Sequence, residues 1–490
     1  MTMMLYADTT PLAQAIAAGV EARVIAETLK LLGQRNLKPS KVAGRVGIDA
    51  FWGAGDPAAL APLASSGRLT DWIRAIPLGP EPGEEQRAQL SPATPLVQAF
   101  MTAQAAVAKG MPDEKPALPD PLEPMEIPGG KSVHQALTEA FDARDVTTMR
   151  RVLLGLFATG ADYRATLEAL YVATRFRYVG AGEPLTWIGA ASEIMDMAEW
   201  GGNNPPFIYW ITSLLADGRP NSVTGEAARA YAADPQHDLS WMRTRLSIPR
   251  HEAAGKSFQT GLTAGDAAAA CDATLAALRA GATATSIASG MALAVAERVN
   301  ATPAGDTDSL LDAGRVLRYI HAIATAMRQT QHHDVWPMLY TAACAVNALG
   351  APTPVGLPSV PSMPIGGTLG GALLRTMEQQ VATGEAANAI TAARRYIQIE
   401  NAPRSFAGAV SLAVAQTDPM PGTPAAEAAP LVAAALEEYL ALPAALANNG
   451  QNALLGAAVR LATDLRGDHA RADRINAAIE EAVGAGMGLN

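Results

Sequence analysis

Three of the seven histidines in this chain lie within thirteen positions, and Tyr319 and Asp334 flank them in sequence. His321 lies on a helix-forming segment, and His332, His333 and Asp334 follow in a polar turn. Imidazole nitrogens and a carboxylate are ligands that transition metals accept, and a helix flank can converge with an adjacent turn. The sequence therefore names His332, His333 and Asp334 as candidate metal ligands.

His321 and Tyr319 are the candidate catalytic residues, as acid, base or ligand. The spacing of the three histidines matches no compact ligand motif, such as two histidines one helical turn apart. The alternative interpretation, a solvated turn whose side chains cap the flanking helices, therefore stays open. No motif in the chain identifies a cofactor.

Two amphipathic helices must position these residues. Apolar residues recur at alternating three- and four-residue steps before the turn, at Leu310, Ala313, Leu317, Ile320, Ala324 and Met327. The second helix is predicted from about Val335 to Gly350, where glycine ends it ahead of Pro352.

The composition favours helices throughout. Hydrophobic residues make up 49% of the 490 positions, but only 5% are aromatic, and alanine is abundant. Alanine is the best helix former, whereas strands are rich in β-branched and aromatic residues. We therefore predict an all-α protein with large buried cores.

Charge and cysteine usage limit the partners and the compartment. A net charge of -10 argues against nucleic acid or an anionic membrane as partner, because both require a basic face. Cys271 and Cys344 lie in alanine-rich helical patterns and are predicted to be core residues. No run approaches eighteen apolar residues, so we expect a cytoplasmic protein without a membrane span.

A helical pattern repeats three times after a Pro-rich linker. Asp145, Asp266 and Glu385 each precede a helix of about fifteen residues that ends at Gly160, Gly281 and Asn401, respectively. We predict an N-terminal helical segment with the linker (1–128), then unit 1 (129–250), unit 2 (251–365) and unit 3 (366–490). Each unit would have four or five helices.

Three such units would form a bundle array or an α-solenoid. The end units of an open array have apolar faces that need polar caps or a partner. The sequence therefore predicts a homo-oligomer or a protein complex.

Two further features have a functional and a structural interpretation. Aromatic residues of units 1 and 2 could line a hydrophobic pocket between these units or act as core wedges: Trp187, Trp200, Tyr209, Trp210, Tyr319, Trp336 and Tyr340. Glu193, Asp196 and Glu199 could set carboxylates side by side, but a solvated acidic face is expected.

Several short motifs resemble the helical region of bacterial proteins that also carry a Rieske iron–sulfur domain, a region similar to questin oxidase-like proteins. The motifs are Ala-Gly-Asp at 264–266, Leu-Arg-Ala-Gly-Ala at 278–282, Arg-Tyr-Ile-His-Ala at 318–322, Asn-Ala-Leu-Leu at 452–455 and Leu-Arg-Gly at 465–467. The resemblance spans roughly residues 130–467 and implies a helical oxidoreductase.

This chain departs from that family at two places. Where the family has a histidine pair and a Gly-His, this chain has Ala313-Gly314 and Gly182-Glu183. No Cys-x-His and Cys-x-x-His cluster occurs, so a Rieske centre is excluded. Two hypotheses follow: an oxidoreductase-like enzyme acting on a hydrophobic substrate, or a non-catalytic helical scaffold that binds a protein partner.

Overall fold

The protein is helical throughout the part of the chain that a computed structural model describes. That part comprises residues 8–34, 37–53, 57–78, 83–110, 115–216, 218–245, 248–330, 332–352, 356–358 and 370–485, and it contains no strand. The all-α prediction is confirmed. No helix in these ranges combines the length and the apolar content that crossing a membrane requires.

Twenty-four α-helices occur in the described ranges, and they fall into four groups. The N-terminal unit contains α1 (Thr10–Ala17), α2 (Glu21–Leu32), α3 (Pro39–Trp52), α4 (Leu60–Ile73), α5 (Glu84–Leu90), α6 (Ala93–Thr102) and α7 (Gln104–Gly110). Unit 1 contains α8 (Val133–Asp142), α9 (Val146–Ala158), α10 (Tyr163–Thr174), α11 (Glu183–Ala198), α12 (Asn204–Leu215) and α13 (Val223–Ala232).

Units 2 and 3 follow. Unit 2 contains α14 (Lys256–Gly261), α15 (Ala267–Ala280), α16 (Ala284–Ala301), α17 (Thr307–Gln329) and α18 (Met338–Ala348). Unit 3 contains α19 (Gly370–Thr383), α20 (Ala386–Glu400), α21 (Pro403–Ala415), α22 (Ala425–Ala441), α23 (Ala444–Asp464) and α24 (Ala470–Gly484).

Local signals in the sequence set the helix ends. The side chains of Asp145 and Asp266 accept hydrogen bonds of 3.0 and 2.9 Å from backbone N–H groups in the first turns of α9 and α15. Gly160, Gly281 and Asn401 follow the equivalent helices with φ angles of 74°, 123° and 46°. A positive φ turns the chain out of the helix and is easiest for glycine or asparagine.

Five helices pack in the same order in every unit. The first contacts the second, the second the fifth, the third the fourth, and the fourth the fifth. The five are α8–α12 in unit 1, α14–α18 in unit 2 and α19–α23 in unit 3. The helices α1, α2, α3, α4 and α6 make the same contacts, so the N-terminal unit adds a fourth copy to the three predicted from the sequence.

The four units close into a ring. The fourth helix of each unit lies at the centre, and we call α4, α11, α17 and α22 the inner helices. Each inner helix contacts two others, and α22 contacts α4, so the series has no open end. The third helix of each unit packs on the inner helix of the next, including α21 of unit 3 on α4. This closure removes the open ends on which the prediction of an oligomer depended.

Glycines allow the third helices of two units to approach the neighbouring inner helices closely. A Cβ atom on Gly408 of α21 would lie 2.4 Å from the carbonyl oxygen of Trp72 in α4. At the equivalent contact, a Cβ atom on Gly44 of α3 would lie 2.6 Å from the backbone nitrogen of Ala198. Backbone atoms cannot rotate away as a side chain can, so an added methyl group would separate the helices.

We expect Gly408→Ala to lower the free energy of unfolding by about 1–3 kcal/mol, because the methyl group overpacks the closing contact. Urea denaturation measures this change. Gly484→Ala is the control, since nothing lies within 4 Å of its added Cβ atom, and it should leave stability unchanged or raise it. A Gly408→Ala protein as stable as the control would show that α21 does not close the ring on α4.

Candidate active site at the ring axis

The inner helices surround one small cavity of about 50 Å³. Each contributes four residues spaced i, i+3, i+4 and i+7, which is one face of a helix. They are Ala61, Ala64, Ser65 and Arg68 of α4; Thr186, Gly189, Ala190 and Glu193 of α11; Arg318, His321, Ala322 and Thr325 of α17; and Pro430, Ala433, Ala434 and Glu437 of α22.

His321 is the large side chain in the middle of this cavity. The equivalent residues of the other inner helices are Ala64, Gly189 and Ala433, which leave space for an imidazole. His321 is only 8% exposed, so its ring nitrogens must find partners inside the protein.

Both ring nitrogens of His321 face carboxylates. Nδ1 lies 2.8 Å from Oε1 of Glu438, and Nε2 lies 2.9 Å from Oε2 of Glu437. Nε of Arg68 lies 2.9 Å from the other oxygen of Glu437, and Arg328 lies 3.8 Å from Glu438. Two buried carboxylates are thus compensated by one imidazole and two guanidinium groups.

These contacts shift the pKa values of the pair. Burial lowers the pKa of His321, but the charges and hydrogen bonds of Glu437 and Glu438 outweigh burial and raise it to about 10. Burial raises the pKa of Glu437, but His321 and Arg68 outweigh it and lower that pKa to about 2. At neutral pH the pair is therefore an imidazolium with a carboxylate.

Glu193 is the acid of the cavity that exchanges protons near neutral pH. Its carboxylate accepts no hydrogen bond from any residue in the described ranges. Burial, and then the negative charge of Glu437, raise its pKa to about 7. One ligand atom of each of Glu193, His321 and Glu437 lies within 4.8 Å of the other two, so the three can hold one cation.

Tyr319, the second predicted catalytic residue, does not line the cavity. It is 1% exposed and packs edge-on against Tyr178, with ring centroids 5.0 Å apart. Burial raises the pKa of Tyr319 well above its usual value. Trp210 and Tyr340 are buried as well, so these three aromatic residues are core wedges.

The predicted ligands His332, His333 and Asp334 form a cluster apart from His321. The ring of His332 lies 4.7 Å from that of His333 and 4.6 Å from that of His134, between ring centroids. His134 belongs to α8 of unit 1, whereas the other three follow α17 of unit 2. No sequence pattern singles out His134 as a ligand.

The sequence misses most partners of His321. Glu193 is predicted on a solvated acidic face, which is wrong because it lines the cavity. Arg68, Glu437 and Glu438 are not singled out at all. For Arg68 and Glu437 the available signal is a pair of small residues at i+3 and i+4 followed by a charged residue at i+7. This pattern occurs in three inner helices, and the fourth has His321 at i+3.

The His321–Glu437 pair should make the stability of the metal-free protein depend on pH. The pKa of His321 rises from 6.5 unfolded to about 10 folded, so its contribution is complete below pH 6.5 and is lost as the pH rises through 10. The pKa of Glu437 falls from 4.5 to about 2, so its contribution is complete above pH 4.5 and is lost as the pH falls through 2.

We expect the melting temperature of His321→Gln to lie furthest below that of the wild type between pH 4.5 and 6.5. The difference should shrink as the pH rises towards 10, because the wild type then loses the imidazolium as well. Calorimetry across this range measures it. A difference that stays constant up to pH 10 would contradict a pKa raised by the two glutamates.

Comparison of the chain with protein-family models, with curated proteins and with solved structures gives no match. The resemblance to the Rieske-associated helical region therefore stays a prediction.

Proposed function

We propose that the protein is a metal-dependent enzyme whose active centre is the axial cavity, with Glu193, His321 and Glu437 as ligands of one divalent cation. The observation that supports this most is the carboxylate on each side of His321. Metal-binding histidines usually donate their second N–H to a carboxylate, which fixes the ring and raises its basicity. Glu438 has this position at Nδ1, and Nε2 faces Glu437, which lines the cavity.

The geometry between Nε2 and Glu437 also suits a shared ion. Two ligand atoms at right angles, each about 2.1 Å from a metal, are roughly 3 Å apart. Nε2 of His321 and Oε2 of Glu437 are 2.9 Å apart. A cation would take the place of the proton between them, and Arg68 would still pair with the other oxygen of Glu437.

The ligand set indicates the class of ion. One imidazole with two carboxylates suits zinc, manganese or iron, whereas calcium prefers six to eight oxygen ligands. Iron or manganese would support the oxidoreductase activity that the sequence suggests, and zinc would support hydrolysis. A cavity of about 50 Å³ holds an ion and one or two waters, so we propose a substrate of few heavy atoms rather than a large hydrophobic one.

Metal analysis of the purified protein after incubation with ferrous iron, manganese or zinc tests the proposal. His321→Ala, Glu437→Gln and Glu193→Gln should each weaken binding at the axis at least about tenfold, because each removes a ligand. Asp196→Asn is the matched control, since it changes a carboxylate one turn beyond Glu193 that bonds to Trp200 instead.

Equal metal content in all four variants and the wild type would place the ion elsewhere. A wild-type protein that takes up none of the three metals at the axis would favour the non-catalytic scaffold. Circular dichroism and melting curves of each variant show whether a loss of metal reflects a loss of fold.

A further inference from the structure

A second group of metal-ligand residues lies where unit 1 meets unit 2. His134 comes from α8, and His332 and Asp334 come from the turn between α17 and α18. One ligand atom of each lies within 4.8 Å of the other two. His134 and Asp334 are 200 positions apart in sequence, so only the packing of two units brings these residues together.

The turn holds two of the three side chains in place. The backbone N–H of Asp334 donates to Nδ1 of His332 at 3.3 Å, at the start of a 3-10 helix (His333–Val335). Oδ2 of Asp334 lies 3.8 Å from the same nitrogen. Two ligands of a tetrahedral zinc ion are roughly 3.4 Å apart. A small rotation of the His332 ring, in which Nδ1 exchanges its hydrogen bond with the backbone for the metal, would therefore let both residues bind one ion.

A carboxylate lies next to His134, the third ligand. Oε1 of Glu168 in α10 lies 3.6 Å from Nε2 of His134, and the other oxygen of Glu168 accepts a hydrogen bond from the hydroxyl of Thr330. Thr330 in turn accepts a hydrogen bond from the backbone N–H of His332. Glu168 thus links both sides of the junction and can orient His134, as outer carboxylates do in metal sites.

We infer that His134, His332 and Asp334 form a second site for a divalent transition metal such as zinc, which joins unit 1 to unit 2. The three side chains are 22%, 27% and 46% exposed, so the remaining coordination positions are open to water or to a small anionic ligand. His333 stacks on His332 but is not one of the ligands. This site is independent of the axial one.

Zinc titration of the Glu437→Gln protein by calorimetry tests the second site, because that variant lacks an axial ligand. We expect one zinc ion to bind and to raise the melting temperature. His134→Ala, His332→Ala and Asp334→Asn, each added to Glu437→Gln, should weaken zinc binding at least about tenfold. His333→Ala is the matched control and should bind zinc like its parent.

Zinc binding that survives both His134→Ala and Asp334→Asn would overturn the inference. So would an equal loss in His333→Ala, because that result would indicate a nonspecific histidine patch. If Glu437→Gln proves unfolded, the same variants in the wild-type chain decide by stoichiometry. Loss of only one of two bound ions supports the second site, and unchanged stoichiometry contradicts it, whatever the fate of the axial proposal.

Discussion

Four helices share one axis in this protein, and that constraint decides which residues they can place there. The axis-facing positions in the middle of the inner helices are glycine, alanine or serine, with His321 as the exception. His321 and Glu438 are buried at the axis, so each charge there needs a partner of opposite sign. The pairing of His321 with Glu437 and Glu438 meets that requirement.

Filling the centre of the ring with a buried ionic cluster costs free energy, because the charges lose their hydration. Replacing buried ion pairs with apolar residues of similar volume is often neutral or stabilising, so stability alone does not explain the cluster. Glu193 adds a carboxyl group that accepts no hydrogen bond from the described part of the chain and has a pKa raised to about 7. Strongly shifted groups in a cavity are typical of functional sites.

Local features were predictable from the sequence, and long-range ones were not. The helices of units 1 and 2 are predicted from the abundance of alanine and from the helix caps at Asp145 and Asp266. The N-terminal unit has Val20 in the equivalent cap position, without a side-chain hydrogen bond, so its kinship with the other units is visible only in its packing. His321 is singled out by its closeness in sequence to His332 and His333. Its partners Glu437 and Glu438 lie more than a hundred residues away, so no local pattern connects them to it.

The closed ring also has a consequence for the order of folding. Gln98 of α6 donates a hydrogen bond of 2.8 Å to Asp418, across 320 residues of chain, and Arg471 of α24 bonds to the same glutamine. Contacts of such separation form late, because the loop between them must first be ordered. During synthesis α4 emerges long before α22. The axis-facing side of α4 therefore stays without its neighbour α22 until unit 3 has been synthesised. The axial cluster therefore forms only in the last stage of folding, and an intermediate that lacks unit 3 would lack Glu437 and with it the proposed metal site.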